Sequence, residues 1–324
     1  MIISVSRRSD IPAFYGEWFM NRLRAGEVLV RNPMQKKQVS RILLTPQTVD
    51  AFVFWTKDPT SFLCRLPEIK SLGYPFYFLF TLTPYDGVLE PGVPEKERMV
   101  EVFRKLSQLI GADNVVWRYD PVILSNQFSP AWHVEAFNHL AEALAGYTKR
   151  CIISFLDDYQ KVRRRMQAIR YQLPDKATMG ELAALFAESA LRNGMALCTC
   201  SHDIDLSHLG IMHSRCIDGE LIERLSGRTM GGIKKASGQR HACRCVESRD
   251  IGSYNTCPHG CLYCYAVSTT ATALTVHQRF DPLSPLLCDT LRGDEIITTA
   301  AVRKSSLARA AETGLVLQQG ELWP

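Results

Sequence analysis

No window of the 324-residue chain reaches the roughly eighteen uninterrupted apolar residues that a bilayer span requires, so no membrane helix is expected. The opening stretch MIISVSRRSD also lacks the apolar core of a signal peptide, and a cytoplasmic protein with reduced thiols follows as the expectation. Charge of one sign is scarce as well: 38 Lys and Arg against 33 Asp and Glu leave a formal +5. That excess falls short of the concentrated stripe of a dedicated nucleic-acid binder, and it permits an anionic partner without demanding one. The densest basic run, Lys161-Val162-Arg163-Arg164-Arg165, falls within an expected helix and reads as a solvated face. No internal repeat is visible beyond a strand–helix rhythm.

Apolar residues make up 46% of the chain, enough to bury one large core, and one main domain is the starting expectation. Six short apolar runs recur through the first two hundred residues: Ile2–Val5, Ala51–Trp55, Phe76–Leu82, Val115–Trp117, Cys151–Phe155 and Met195–Cys198. Helical periodicity lies between them at Gly16–Ala25, Glu95–Leu109, Pro130–Leu144, Tyr159–Ile169 and Met179–Arg192. The alternation predicts an α/β fold, a partial parallel β/α barrel of about six strands.

Polar residues gather where each strand should end. They are Arg7, Arg8 and Asp10; Thr56, Lys57 and Asp58; Thr81 and Thr83; Arg118 and Asp120; Ser154 and Asp157; and Ser201, His202 and Asp203. Barrel enzymes build their sites from the loops at that end, so these clusters would converge on one cavity. Arg118 and Asp120 are the foremost candidates for substrate or cofactor contact, their plain alternative being an ion pair that closes a loop. Lys57 and Asp10 are candidates for acid–base work.

Eleven cysteines would suggest disulfides in a small secreted chain, but a long cytosolic one uses clustered thiols for metals or redox chemistry. Cys64 and Cys151 stand alone in apolar surroundings and read as core residues, whereas five cysteines fall between Cys243 and Cys264. Cys257, Cys261 and Cys264 form a C-x3-C-x2-C run, in which three close thiolates can grip three corners of a cuboidal iron–sulfur cluster. The fourth iron is then left open. Gly260 suits such a loop because, lacking a Cβ, it takes positive φ readily. Structural zinc fits this triplet poorly, since it normally takes four ligands in two pairs, and His259 is too close in sequence to Cys261 for comfortable tetrahedral geometry.

A second set, Cys200, Cys216, Cys243 and Cys245, supplies four thiols for a closed site, either a second [4Fe-4S] cluster or zinc. Cys198 reads as the end of a strand. The segment from 201 to 250 shows little apolar periodicity, and a metal cross-link is expected to supply its stability. The expected organisation is therefore 1–200 as the barrel, 201–250 as a cysteine-rich metal-binding segment, 251–293 as the cluster loop with a following helix, and 294–324 as a peripheral tail.

The run Cys257-Pro258-His259-Gly260-Cys261-Leu262-Tyr263-Cys264-Tyr265-Ala266 resembles the radical S-adenosylmethionine superfamily. The resemblance implies that the three cysteines hold a [4Fe-4S] cluster, that S-adenosylmethionine binds its open iron, and that Tyr263 sits against the adenine. It also implies reductive cleavage to a 5′-deoxyadenosyl radical that abstracts hydrogen from a substrate, with flavodoxin or ferredoxin as the electron donor. In that superfamily the motif usually follows the first strand, so here the order looks circularly permuted. Together with Ser6-Arg7-Arg8-Ser9-Asp10-Ile11-Pro12, Phe54-Trp55-Thr56-Lys57-Asp58-Pro59 and Trp117-Arg118-Tyr119-Asp120-Pro121, the cysteines resemble a bacterial family of unknown function with radical-enzyme-like cysteines near the C-terminus. Thr81-Leu82-Thr83-Pro84-Tyr85-Asp86, Leu89-Glu90-Pro91 and Pro94-Glu95-Lys96-Glu97-Arg98 are more faintly similar to the spore photoproduct lyase branch, which acts on DNA lesions. The alternatives left open are such a lesion enzyme and a non-catalytic iron–sulfur or zinc-binding protein.

Overall fold

The computed structural model describes residues 1–200, 203–230 and 234–302. Ser201, His202 and most of the expected tail lie outside the described residues. The strands are β1 (Ile2–Val5), β2 (Glu27–Arg31), β3 (Gln38–Leu43), β4 (Ala51–Thr56), β5 (Phe76–Thr81), β6 (Val115–Val122), β7 (Arg150–Phe155), β8 (Ala196–Thr199), β9 (Met212–His213), β10 (Arg249–Asp250) and β11 (Ile296–Thr299). The helices are α1 (Ile11–Phe14), α2 (Gly16–Ala25), α3 (Leu66–Ser71), α4 (Lys96–Ile110), α5 (Pro130–Ala143), α6 (Gln160–Met166), α7 (Lys176–Arg192), α8 (Gly219–Ser226) and α9 (Thr270–Gln278). None of the described helices is long and apolar enough to cross a membrane.

The six apolar runs become β1, β4, β5, β6, β7 and β8, all parallel and adjacent in that order, with β10 added outside β1 and β9 outside β8. The sheet thus has eight strands, where about six were expected. Both additions are two-residue pairings, too short to leave a period in the sequence. β6 runs past its expected end at Trp117 to Val122, with a shift of register between Tyr119 and Val122. That irregularity accommodates Pro121, which has no N–H to give to a ladder.

Alternate side chains of each strand face opposite ways. Phe52 and Phe54 pack edge-on against Phe19 of α2 at 5.2 and 5.4 Å between ring centres. Phe80 meets Phe103 of α4 at 5.0 Å, and Trp117 stacks on Phe137 of α5 at 4.8 Å, itself stacked on Phe186 of α7 at 4.4 Å. Such pairs contribute about 0.5–1.5 kcal/mol each beyond their buried area.

The opposite face, with Ile2, Ala51, Val53, Tyr77 and Leu79, is covered by the cysteine-rich segment through Ile217, Leu221, Ile222, Met230 and Val246. Expecting that segment to lack apolar support was mistaken: five of its apolar residues are buried in one cluster with the strand side chains. Tyr77 Oη donates to the Cys216 carbonyl at 2.6 Å, and Arg150 pairs with Asp218 at 2.7 Å, fastening the segment to β5 and β7.

A second sheet was not expected. β2 and β3 form an antiparallel hairpin, and β11 adds to β3 in parallel register from Ile296 opposite Gln38 to Thr299 opposite Arg41. Arg31 ties this sheet to the late chain through Asp289 at 2.5 Å and Glu295 at 2.9 Å. Cys64, expected in the core, is exposed on the turn of helix before α3, whereas Cys151 is buried on β7.

Candidate metal centre and cavity

The late cysteines reach the strand ends because Asp250 latches β10 onto β1. Its carboxylate accepts from Ser4 Oγ at 2.8 Å, Ser6 Oγ at 2.6 Å and the Arg7 N–H at 2.8 Å. At Gly252 there is no room for a side chain, since a Cβ would lie 1.9 Å from Ser6 Oγ. From there the chain crosses the ends of the strands, held by a hydrogen bond from Tyr15 to the Thr256 carbonyl.

The loop from Cys257 to Cys264 is pinned from both sides. Gly92 N–H donates to His259 O at 2.8 Å, and Leu262 N–H to Leu89 O at 3.0 Å. Gly260 has φ +72°, a backbone angle that favours glycine. His259 has both ring nitrogens engaged, Nδ1 with the Gly92 carbonyl at 3.0 Å and Nε2 with Asp10 at 2.9 Å. Asp10 also accepts from the N–H groups of Lys57 at 2.7 Å and Ala13 at 3.1 Å, so it caps α1 and anchors the loop. Its carboxylate thus positions the loop while remaining on the cavity wall.

Behind the loop lies Glu90, which is 1% exposed. Its carboxylate pairs with Lys57 at 2.9 Å and Lys96 at 2.6 Å, and accepts from Thr83 at 2.5 Å and from the Tyr263 hydroxyl. Burial alone would raise its pKa, but the two ammonium groups and these hydrogen bonds overturn that and hold it at about 2. Lys57 Nζ also stands 5.5 Å from the Tyr263 ring centre.

One cavity of about 380 Å³ takes in these elements. Its wall includes Asp10, Lys57, Arg118 and Asp120 together with Cys257, Cys261 and Cys264. Arg118 pairs with Asp120, and its guanidinium lies 4.8 Å from the Trp55 ring centre. Among the residues on this wall, Arg7 Nε, Ser9 Oγ, Trp55 Nε1 and Arg118 Nε are buried without a hydrogen-bond partner. Burial pushes all three thiols up, Cys261 to about 12 despite the opposing charge of Lys57. Three thiolates in such a place need a compensating cation, and a soft, multivalent metal centre is the group that this donor set fits.

Cys200, Cys216, Cys243 and Cys245 line the same cavity. Cys200 and Cys216 sulfurs are 3.4 Å apart, and Cys245 Sγ accepts from Ile217 N–H at 3.4 Å. Cys198, buried on β8, does not line this cavity. Among the described residues, no group of three or more His, Cys, Asp or Glu side chains stands ready-made for a metal ion, so the sulfurs of either set must shift to bind one.

Three contributors were missed in the sequence. Glu90 falls in the quoted Leu89-Glu90-Pro91 run, but its partners are scattered through four segments. Arg165, read with its neighbours as solvated, donates to the Cys264 carbonyl. Arg240 pairs with Asp157 at the cavity wall.

The family described as Domain of unknown function (DUF1848) matches residues 2–266. The chain belongs to this family. The matched stretch includes both cysteine sets and every wall residue named above, and it stops two residues beyond Cys264. None of the curated proteins compared matches the chain.

Proposed function

We propose that Cys257, Cys261 and Cys264 bind a [4Fe-4S] cluster with one iron open to the cavity, and that the protein is an enzyme of radical S-adenosylmethionine type. The observation that carries this reading is the meeting of three thiols, Cys261 buried and Cys257 and Cys264 half-buried, with Lys57, Arg118 and Asp120 on one cavity wall. When bound, the cluster would supply one electron to S-adenosylmethionine and so begin hydrogen abstraction from a substrate.

The chain's own residues do the rest. Gly260 lets the loop fold back on itself, and His259, held between Asp10 and Gly92, keeps its cysteines facing the cavity. Lys57, Lys96 and Glu90 together carry one net positive charge behind the loop, favouring anionic groups bound in front of it. Arg118 offers its unpartnered Nε to a carboxylate or ribose oxygen, and Asp120 fixes its orientation. The Tyr263 ring, packed against Tyr85 at 6.1 Å, offers an aromatic neighbour for an adenine. A flavodoxin or ferredoxin would deliver the electron.

The test is anaerobic incubation of the reduced protein with S-adenosylmethionine, followed by chromatography. Formation of 5′-deoxyadenosine and methionine is expected. Iron-loaded, reduced protein that yields neither would leave a non-catalytic iron–sulfur protein as the reading.

A further inference from the structure

We propose that Cys200, Cys216, Cys243 and Cys245 bind one zinc ion as a closed, four-thiolate centre built into the wall of the reaction cavity. The proposal is independent of the cluster at the other cysteines.

Three separate pieces of chain bring these thiols together. Cys200 directly follows β8, Cys216 precedes α8, and Cys243 and Cys245 lie just ahead of β10. All four are buried, at 7%, 2%, 5% and 3% exposure. Their carriers are fixed by contacts that owe nothing to sulfur: the Cys216 carbonyl by Tyr77, Asp218 by Arg150, and the Val246 N–H by the Ile217 carbonyl at 3.1 Å.

The spacing selects the metal. Four sulfurs at about 2.3 Å from a single zinc stand about 3.8 Å from one another. The Cys200–Cys216 separation of 3.4 Å is a few tenths short of that, and Cys243 and Cys245 line the same cavity wall beside them. Ligands at the corners of a cuboidal cluster stand much farther apart, because irons and sulfides lie between them. Opening the Cys200–Cys216 pair by a few tenths of an ångström reaches the zinc spacing, whereas a cuboidal cluster would have to drive the two sulfurs much farther apart.

The surroundings match the charge as well. Four thiolates and Zn²⁺ leave a net charge of −2, and the guanidinium groups of Arg118 and Arg240 lie within electrostatic reach of the sulfurs. A closed centre has no vacancy for substrate. Its role is to hold the Arg240 side of the cavity.

Zinc and iron are to be measured by mass spectrometry in the full chain and in the C216S, C245S and C257A variants, all purified anaerobically. The expected result is one zinc per chain in the wild type and in C257A, and its loss in C216S and C245S. Zinc-edge X-ray absorption on the wild type, which needs no variant to fold, should give four sulfur neighbours at about 2.3 Å. Absence of zinc, with iron falling in C216S and C245S by as much as in C257A, would show a second iron–sulfur cluster and overturn the proposal. Nitrogen or oxygen neighbours in the zinc shell would overturn it too.

Discussion

Lys57 Nζ lies 2.9 Å from Glu90 Oε1, while the other oxygen of the same buried carboxylate meets Lys96 at 2.6 Å. One carboxylate thus neutralises one of two ammonium groups directly behind the cysteine loop. Replacing Glu90 by Gln leaves two half-buried cations underpaired, and breaking such a pair costs up to about 3–5 kcal/mol when it is fully buried. Denaturant titration of E90Q should show a loss of that order, and a loss under 1 kcal/mol would mean that the lysines reach water. The pH dependence has a definite sign. The folded carboxyl titrates at about 2 and the unfolded one near 4.3, so its contribution is present above pH 4.3 and fades as pH falls towards 2.

His133 is fully buried, its Nδ1 2.7 Å from the Tyr119 hydroxyl and its Nε2 2.9 Å from the Ile123 carbonyl. Nε2 donates to that carbonyl, leaving Nδ1 to accept from Tyr119, which is the neutral ring. Burial lowers its pKa to about 4, against about 6.5 unfolded. Between those values the unfolded chain binds the extra proton, so stability falls as the solution is acidified from pH 6.5 to 4, by up to about 3 kcal/mol from this group. Urea midpoints of wild type and H133Q across that range should converge at the acid end, and parallel curves would contradict the assignment.

Gly92 touches the cysteine loop so closely that a Cβ there would lie 2.7 Å from the His259 carbonyl oxygen and 2.9 Å from its Cα. Both are backbone atoms that cannot rotate away. G92A should therefore cost about 1–3 kcal/mol and lower iron retention after anaerobic reconstitution. An unchanged melting temperature with full iron would show that the loop moves freely.

The central sheet was legible because parallel strands covered on both faces read as short unbroken apolar runs, such as Ala51–Thr56 and Phe76–Thr81. Even the strand order follows the chain across its six central members. The β2–β3 hairpin was not read. Glu27–Arg31 and Gln38–Leu43 are short and carry charges on their outer faces, and the six-residue turn between them has no Asn-Gly or Asp-Gly signature. β11 was invisible for a different reason, since it pairs with β3 across more than 250 residues and all four of its residues are exposed. At the site, the cysteine spacing announced itself, as did Arg118, Asp120 and Lys57. Glu90 and Arg165 did not, because a buried carboxylate and a half-buried arginine acquire meaning only from partners that folding brings to them.

The account turns on Cys257, Cys261 and Cys264 acting together. Its most direct test is iron and acid-labile sulfide in anaerobically reconstituted wild type and in C257A, C261A and C264A. The wild type should be brown, with about four irons and four sulfides per chain, and each variant should lose them, because two thiolates cannot hold the corner geometry that three provide. Full iron and sulfide in all three variants would contradict the account.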